Sequence, residues 1–342
     1  MAEVELTERQ RAILSMIVDE YIRSAVPVGS KTIVEKWLLG ISTATVRNEM
    51  MELEEAGYIY QPHTSAGRVP SVKGYRYFVE SVLQRAQLSS DEQRMISHQF
   101  HQIEPDVEEW TRLAASILAH LADNAAIVTT PHSAACRLKH LELILMQDGV
   151  AIMVVVLQEG TVRQQMISIP RGVTEEEIGP VAHKLTYLLR DLSASEIEAY
   201  AADLTPLEKQ VRDALVRLMQ HLDARRYYDL VLDGLSLMLR QPEFVASRRT
   251  HEVFEALQSR QAVASILPKV ISSSDVVVLI GEENDSPPLH ECAVVVARYG
   301  VQGEVGGMLG VLGPTRLQYT RAIPAVRYLS RVMSNLLGEL LA

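Results

Sequence analysis

Apolar positions recur with a helical period through the first 83 residues. Leu14, Ile17, Val18, Tyr21 and Ile22 fill an i, i+3, i+4, i+7, i+8 stripe. Thr7 and Gln10 supply a capping box ahead of it, so the spacing predicts a helix over 7–24, ended by Pro27. Ser30 caps a second helix whose inner stripe is Val34, Trp37, Leu38 and Ile41, broken at Gly40. Ser42 or Thr43 caps a third, with Val46, Met50 and Leu53 inside and Gly57 closing it. The period then changes. Tyr58–Gln61 alternates, 62–67 is rich in turn formers, and Arg68, Val69 and Pro70 lead back, which reads as a hairpin. Ser71 opens a fourth helix on Tyr75, Phe78, Val79, Val82 and Leu83.

Residues 89–121 read as a helical connector, with Ser89 and Glu92 as a second capping box and Trp110, Leu113, Ala114, Ile117, Leu118 and Leu121 as one stripe. From Ala125 the period becomes two. Short strands are predicted at 127–130, 138–146, 150–157 and 161–169, turning at 148–149 and 159–160 as a meander. Helices at 174–189, 193–201 and 205–222 interrupt it. After residues 227–239 and a helix over 250–267, strands return at 276–280, 293–299 and 303–312, and a helix over 323–341 follows. A sheet, a helical block and a sheet again is the signature of an inserted subdomain in an α+β multidomain chain.

Composition narrows the class. The chain has 342 residues, 47% apolar and 22% charged, the balance of a soluble globular protein. The longest apolar run, 150–157, is too short to cross a bilayer, and the first ten residues lack the basic and apolar regions of a signal peptide. Cys136 and Cys292 cannot make a disulfide framework and read as reduced thiols of a cytoplasmic protein. Net charge is −10, which excludes a non-specific polycation. The first 85 residues, however, are nearly neutral, and 56–79 holds no acid while carrying Arg68, Lys73 and Arg76. A local basic strip on an acidic body suits a site-specific nucleic-acid binder.

The third helix opens on Ala44, Thr45, Arg47 and Asn48, off its apolar stripe. Two helices across a short Gly-containing turn, the second opening on hydroxyl, Arg and Asn side chains, form a helix-turn-helix pattern. Arg grips guanine bidentately, Asn reads adenine, and hydroxyls contact bases or phosphates. Ser30, Lys31, Ser42 and Thr43 flank these positions, and the hairpin tip adds His63, Thr64, Ser65 and Arg68. All of these except Ala44, eleven residues, are candidate DNA-binding residues. Other constellations are weak. His98 and His101 lack a metal-motif context, the glycines of 300–313 lack a phosphate-loop ending, and 281–285 reads as an exposed acidic loop. No catalytic residue, metal or cofactor is expected.

Several stretches resemble the heat-inducible transcription repressor family HrcA: LTERQRAIL at 6–14, PVGS at 27–30, SxATVRNEMxxLExxGY at 42–58 and PHTSAGRVPSxxGYR at 62–76. Gln241-Pro242-Glu243-Phe244, Ile280-Gly281-Glu282-Glu283-Asn284 and Gly313-Pro314-Thr315-Arg316 follow in the family's order, so the resemblance spans the chain. Ser24-Ala25, Ser71 and Leu317 depart mildly from it. The resemblance implies a winged helix-turn-helix at 1–85, the connector at 86–122, a GAF-like domain at 123–172 and 241–342, and an inserted, mainly helical dimerising domain at 173–240. It further implies a cytoplasmic homodimer that represses chaperone operons at an inverted-repeat DNA operator, the CIRCE element, with a chaperonin as modulator. The alternative is a regulator whose GAF-like domain senses a small molecule.

Overall fold

The computed structural model describes residues 6–341, apart from 38–39, 65, 134–135, 148, 159, 201–202, 227–229, 246–249, 259–264, 267–268, 271–272, 274 and 302–304. The predicted Leu38 and Ser65 positions therefore lie outside the described residues. Helix α1 (Glu8–Ser24) begins at the Thr7–Gln10 capping box and buries Ile13, Leu14, Ile17, Val18 and Ile22. It packs on α2 (Ser30–Trp37) and α3 (Thr43–Glu55). The inner residue of α2 is Ile33, fully buried, whereas Trp37 is 39% exposed. The expected stripe is thus inner only in part: Val34 and Ile41 pack half-buried against the core, while Ile33, one position before Val34, is the fully buried residue of α2.

Strands β1 (Ile59–Tyr60) and β2 (Val69–Pro70) pair antiparallel, Ile59 opposite Pro70 and Tyr60 opposite Val69, which makes the expected hairpin. Helix α4 (Val72–Arg85) follows, capped by Ser71. Helices α5 (Ser90–His101) and α6 (Val107–Ala122) come next. The reading of 86–122 as a connector needs correction. The stripe of α6 is core: Trp110, Ala114, Ile117 and Leu118 are buried together with Ala126, Val128, Leu309 and Val311 of a sheet.

That sheet is built from β3 (Ala125–Thr129), β8 (Leu230–Asp233), β9 (Val277–Ile280), β10 (Cys292–Val301) and β11 (Val305–Pro314), in the order β8-β3-β11-β10-β9. Its alternation is strict. Ala126 and Val128 face α6 and the final helix α13 (Tyr319–Leu341), while Ala125 and Ile127 face the other side. There they meet Met238 of α10 (Leu235–Leu239), Phe244 of α11 (Pro242–Val245) and Val253 and Leu257 of α12 (Thr250–Gln258). Cys292 lies on that second face. Burial pushes its thiol up to about 12, with Glu291 adding to the shift, so it stays protonated near neutrality. In the native protein it is expected to resist iodoacetamide, and alkylation as fast as in denaturant would contradict this packing.

The chain divides into two compact units. The first holds the residues up to Pro131, those from Leu230 to Val301 and those from Gly306 onward. The second holds β4 (His132–Ser133), β5 (Leu138–Gln147), β6 (Val150–Leu157), β7 (Val162–Ser168), α7 (Glu175–Leu189), α8 (Ala194–Ala199) and α9 (Pro206–Arg226). Here the expected boundary at 172/173 fails. The meander does form, but as its own antiparallel sheet, β5-β6-β7, sharing a core with the helices that follow it rather than joining the larger sheet. Leu141, Met153 and Val155 pack on Ile178, Leu185, Val211 and Leu215. Thr186 ties the layers by donating to the Leu141 carbonyl at 3.1 Å and accepting from its amide at 3.0 Å.

Candidate nucleic-acid interface

The N-terminal cap of α3 is Ser42, whose hydroxyl accepts from the Thr45 amide at 3.1 Å and lies 2.9 Å from the Thr45 hydroxyl. Capping in this way satisfies an otherwise orphan donor and fixes the first turn of the helix. Val46, Met50 and Leu53 are buried, as their spacing predicts. Thr43, Ala44, Arg47 and Asn48 are exposed and Thr45 is half-buried. Residues 44, 47, 48 and 51 follow the i, i+3, i+4, i+7 rule, so they share one outward face. Met51 on that face is 49% exposed. The stripe analysis passed over it; an apolar residue standing off the inner stripe was the available signal.

Three of the four acids of α3 are held by the bundle. Glu49 pairs with Arg9 at 2.6 Å, Glu52 accepts from the Gln10 amide at 2.6 Å and Glu54 pairs with Arg68 at 2.7 Å. The fourth, Glu55, is exposed at the C-terminal end of the helix, and Arg47 has no carboxylate partner among the described residues. Ser30 opens α2 half-buried, and Lys31 beside it is exposed, with Glu35 at 3.6 Å.

The wing is shaped by a residue that sequence reasoning missed. The Gln61 side-chain amide donates to the Thr64 and Ala66 carbonyls at 3.0 and 2.9 Å, which folds the tip and leaves His63 and Thr64 exposed. Arg68 departs from the rest of the expected set. Its guanidinium is mostly covered and bound to Glu54, and its backbone exchanges two 2.8 Å hydrogen bonds with Val28. Its geometry is that of a brace at the wing root.

Three packed helices with a solvent-facing third helix, followed by a two-stranded wing, define a winged helix-turn-helix DNA-binding protein. The family model for the winged helix-turn-helix transcription repressor, HrcA DNA-binding, matches residues 5–83, and that for the HrcA protein C-terminal domain matches 108–323. The heat-inducible transcription repressor HrcA of Roseiflexus castenholzii is 44% identical over 98% of this chain and 96% of its own length. That of Herpetosiphon aurantiacus is 41% identical over 98% and 97%. A crystal structure of a hypothetical protein shares the fold, with a TM-score of 0.61 at 23% identity over 98% of this chain and 99% of that one. The chain belongs to the heat-inducible transcription repressor family HrcA, and it is a DNA-binding repressor rather than an enzyme.

Proposed function

We propose that α3 enters the major groove of an operator, with Arg47 and Asn48 reading base edges and Ser42, Thr43 and Thr45 at the groove wall. Met51 would meet a thymine methyl. Ser30 and Lys31, with His63 and Thr64 of the wing, would contact the sugar-phosphate backbone, which sets register rather than sequence. Arg68 would act by holding the wing in place. The observation carrying this reading is the acid-free N-terminal half of α3, residues 43–48, exposed along its outer face, with Glu49, Glu52 and Glu54 each held by a partner and Glu55 standing at the far C-terminal end of the helix. Arg47→Ala is expected to cost about 1–3 kcal/mol of operator binding with an unchanged melting temperature. Unaltered affinity in a titration at fixed salt would sink the assignment of α3.

We further infer a homodimer, which would make the operator an inverted repeat with one half-site per subunit. The family resemblance implies a dimerising domain at 173–240, and the helical stripes there pack on the β5-β6-β7 sheet. The other face of that sheet is the better candidate. Ile144, Met146, Val162 and Met166 on it are exposed, the last at 73%, and Val150, Ile152, Val154 and Val156 of the central strand are half-covered. An apolar strip down β6, widened by Ile144 and Met166 and rimmed by His140, Glu142 and Gln164, marks an interaction surface.

Family membership supports the rest of the proposal. The repressor would act in the cytoplasm on the CIRCE element of chaperone operons, with a chaperonin favouring the binding form. Footprinting upstream of those operons, with and without chaperonin, tests it; no protection in either lane would rule it out. The alternative of a small-molecule sensor is less well supported, because Tyr299, Leu329 and Met333 are packed in the core that α13 shares with the larger sheet, and the cleft beside them is edged by the charged Asp275, Arg298, Arg327 and Arg331.

A further inference from the structure

Three of the sequence motifs that marked the family lie far from the winged helix in the chain, and α3 and the wing leave them unexplained. They meet at one junction. In the first unit, Arg76 of α4 donates from Nε to Glu283 Oε1 at 2.9 Å and from Nη2 to the Val278 carbonyl at 2.7 Å, and its Nη2 also contacts Glu283 Oε2. Glu283 also accepts from the Ile280 amide at 2.8 Å, so its carboxylate is held by the backbone as well as by the arginine. The two ends of this pair are 207 residues apart in the chain.

Arg316 makes the second pin. Its side chain is 11% exposed. Its fork reaches Glu243 at 2.5 and 3.1 Å and Gln241 at 2.6 Å, and Nη1 donates to the Ile22 carbonyl at 3.2 Å. Ile22 lies in the last turn of α1, where carbonyls lack intrahelical donors and the helix dipole favours a cation. An arginine of the body thus caps the first helix of the winged helix, 294 residues away. Between the pins, the rings of Tyr75 and Tyr319 meet at a tilt of 53°, with centroids 6.0 Å apart. Gly281 stands at φ +56°, and a Cβ there would come within 3.0 Å of Val72 at the start of α4. The Gly-Tyr-Arg, Gln-Pro-Glu-Phe, Gly-Glu-Glu-Asn and Gly-Pro-Thr-Arg blocks are therefore the parts of a single joint.

We propose that Arg76 and Arg316 are positioning residues for operator recognition: they fix the orientation of the winged helix on the body, so that two copies of α3 are presented at one defined spacing. The inference rests on the dimeric, inverted-repeat reading above. Neither arginine lies on the outward face of α3 or at the wing tip, so each acts through the placement of that module. Two pins are needed because one contact leaves a rotation free. Arg76 holds the start of α4 and Arg316 holds the end of α1. A bidentate guanidinium is suited to this work, since its planar fork fixes direction as well as distance.

The test uses the full chain and compares Arg76→Gln, Arg316→Gln and the double variant with the wild type. Each is titrated against the complete inverted repeat, a single half-site, and repeats with one or two base pairs inserted between the half-sites. Wild type is expected to prefer the complete repeat strongly and to reject altered spacing. The double variant should lose about tenfold or more on the complete repeat, as the effective concentration of the second module falls. It should keep wild-type half-site affinity and tolerate altered spacing. Unchanged affinity for the repeat, tighter binding to it, or an equal loss on repeat and half-site would each overturn the proposal, the last by showing a purely structural role. Wild type that binds repeat and half-site alike would instead remove the dimeric reading, and the positioning role with it.

Discussion

Ile152→Asp is expected to split the repressor into folded monomers that grip a half-site normally and the complete inverted repeat about a hundredfold or more weakly. Ile152 sits at the centre of β6, opposite Ile144 on one side and Met166 on the other. All three point away from the helices, since the alternate residues Ala151, Met153 and Val155 are the ones buried against them. An aspartate there leaves the subunit's own core untouched and stays hydrated in the monomer. In a dimer closed across this face, the same carboxylate would be buried without a partner, which costs several kcal/mol. The expected signature is a halved mass in sedimentation and a half-site affinity equal to wild type. Ile152→Val should remain dimeric. If Ile152→Asp sediments as wild type does, the dimer is closed elsewhere.

Part of that surface was written in the sequence. A half-exposed strand alternates, whereas 150–157 is apolar at every position, the pattern of a strand covered on both faces. In the isolated subunit only one face of β6 is covered. What the sequence did not reveal was which sheet the meander belongs to. Period-two alternation fixes which residues share a face, not which strands pair, so β5, β6 and β7 read equally well as the first part of the larger sheet. The same limit applies to α6. Its stripe was legible, but whether it packed on a neighbouring helix or on a sheet was not.

The winged helix was more transparent because its signals are local. Capping boxes, a three-helix stripe pattern and a Gly-containing turn each act within a few residues, and Val46, Met50 and Leu53 are buried as their spacing required. Arg68 shows the converse limit. It stands in an acid-free stretch, so its charge looks free for phosphate, yet Glu54 approaches it from α3 through tertiary folding. The same holds for Arg76 and Arg316, whose acids lie hundreds of residues along the chain or on another element of the body.

Gly67→Ala is the substitution expected to damage the wing most. A Cβ at Gly67 would lie 2.5 Å from the Val28 carbonyl carbon and 2.6 Å from the Pro27 and Val28 carbonyl oxygens. All three are backbone atoms, so no side-chain rotation can relieve the overlap. The chain must instead open between the wing and the α1–α2 connection, where Val28 and Arg68 exchange their two 2.8 Å hydrogen bonds. Overpacking of this kind costs about 1–3 kcal/mol, and the lost pair of hydrogen bonds places the change at the upper end. Arg68 would be drawn from Glu54 at the same time, so the wing tip would lose both its root and its brace. The melting temperature should fall by several degrees, roughly 2–4 °C per kcal/mol if the first unit unfolds cooperatively. Operator affinity should fall further than stability alone explains. Base discrimination by Arg47 should survive in whatever binding remains, because the Ser42 cap and the inner face of α3 lie outside the disturbed contact. A Gly67→Ala protein with wild-type melting and wild-type affinity would mean that the wing root is not packed as described.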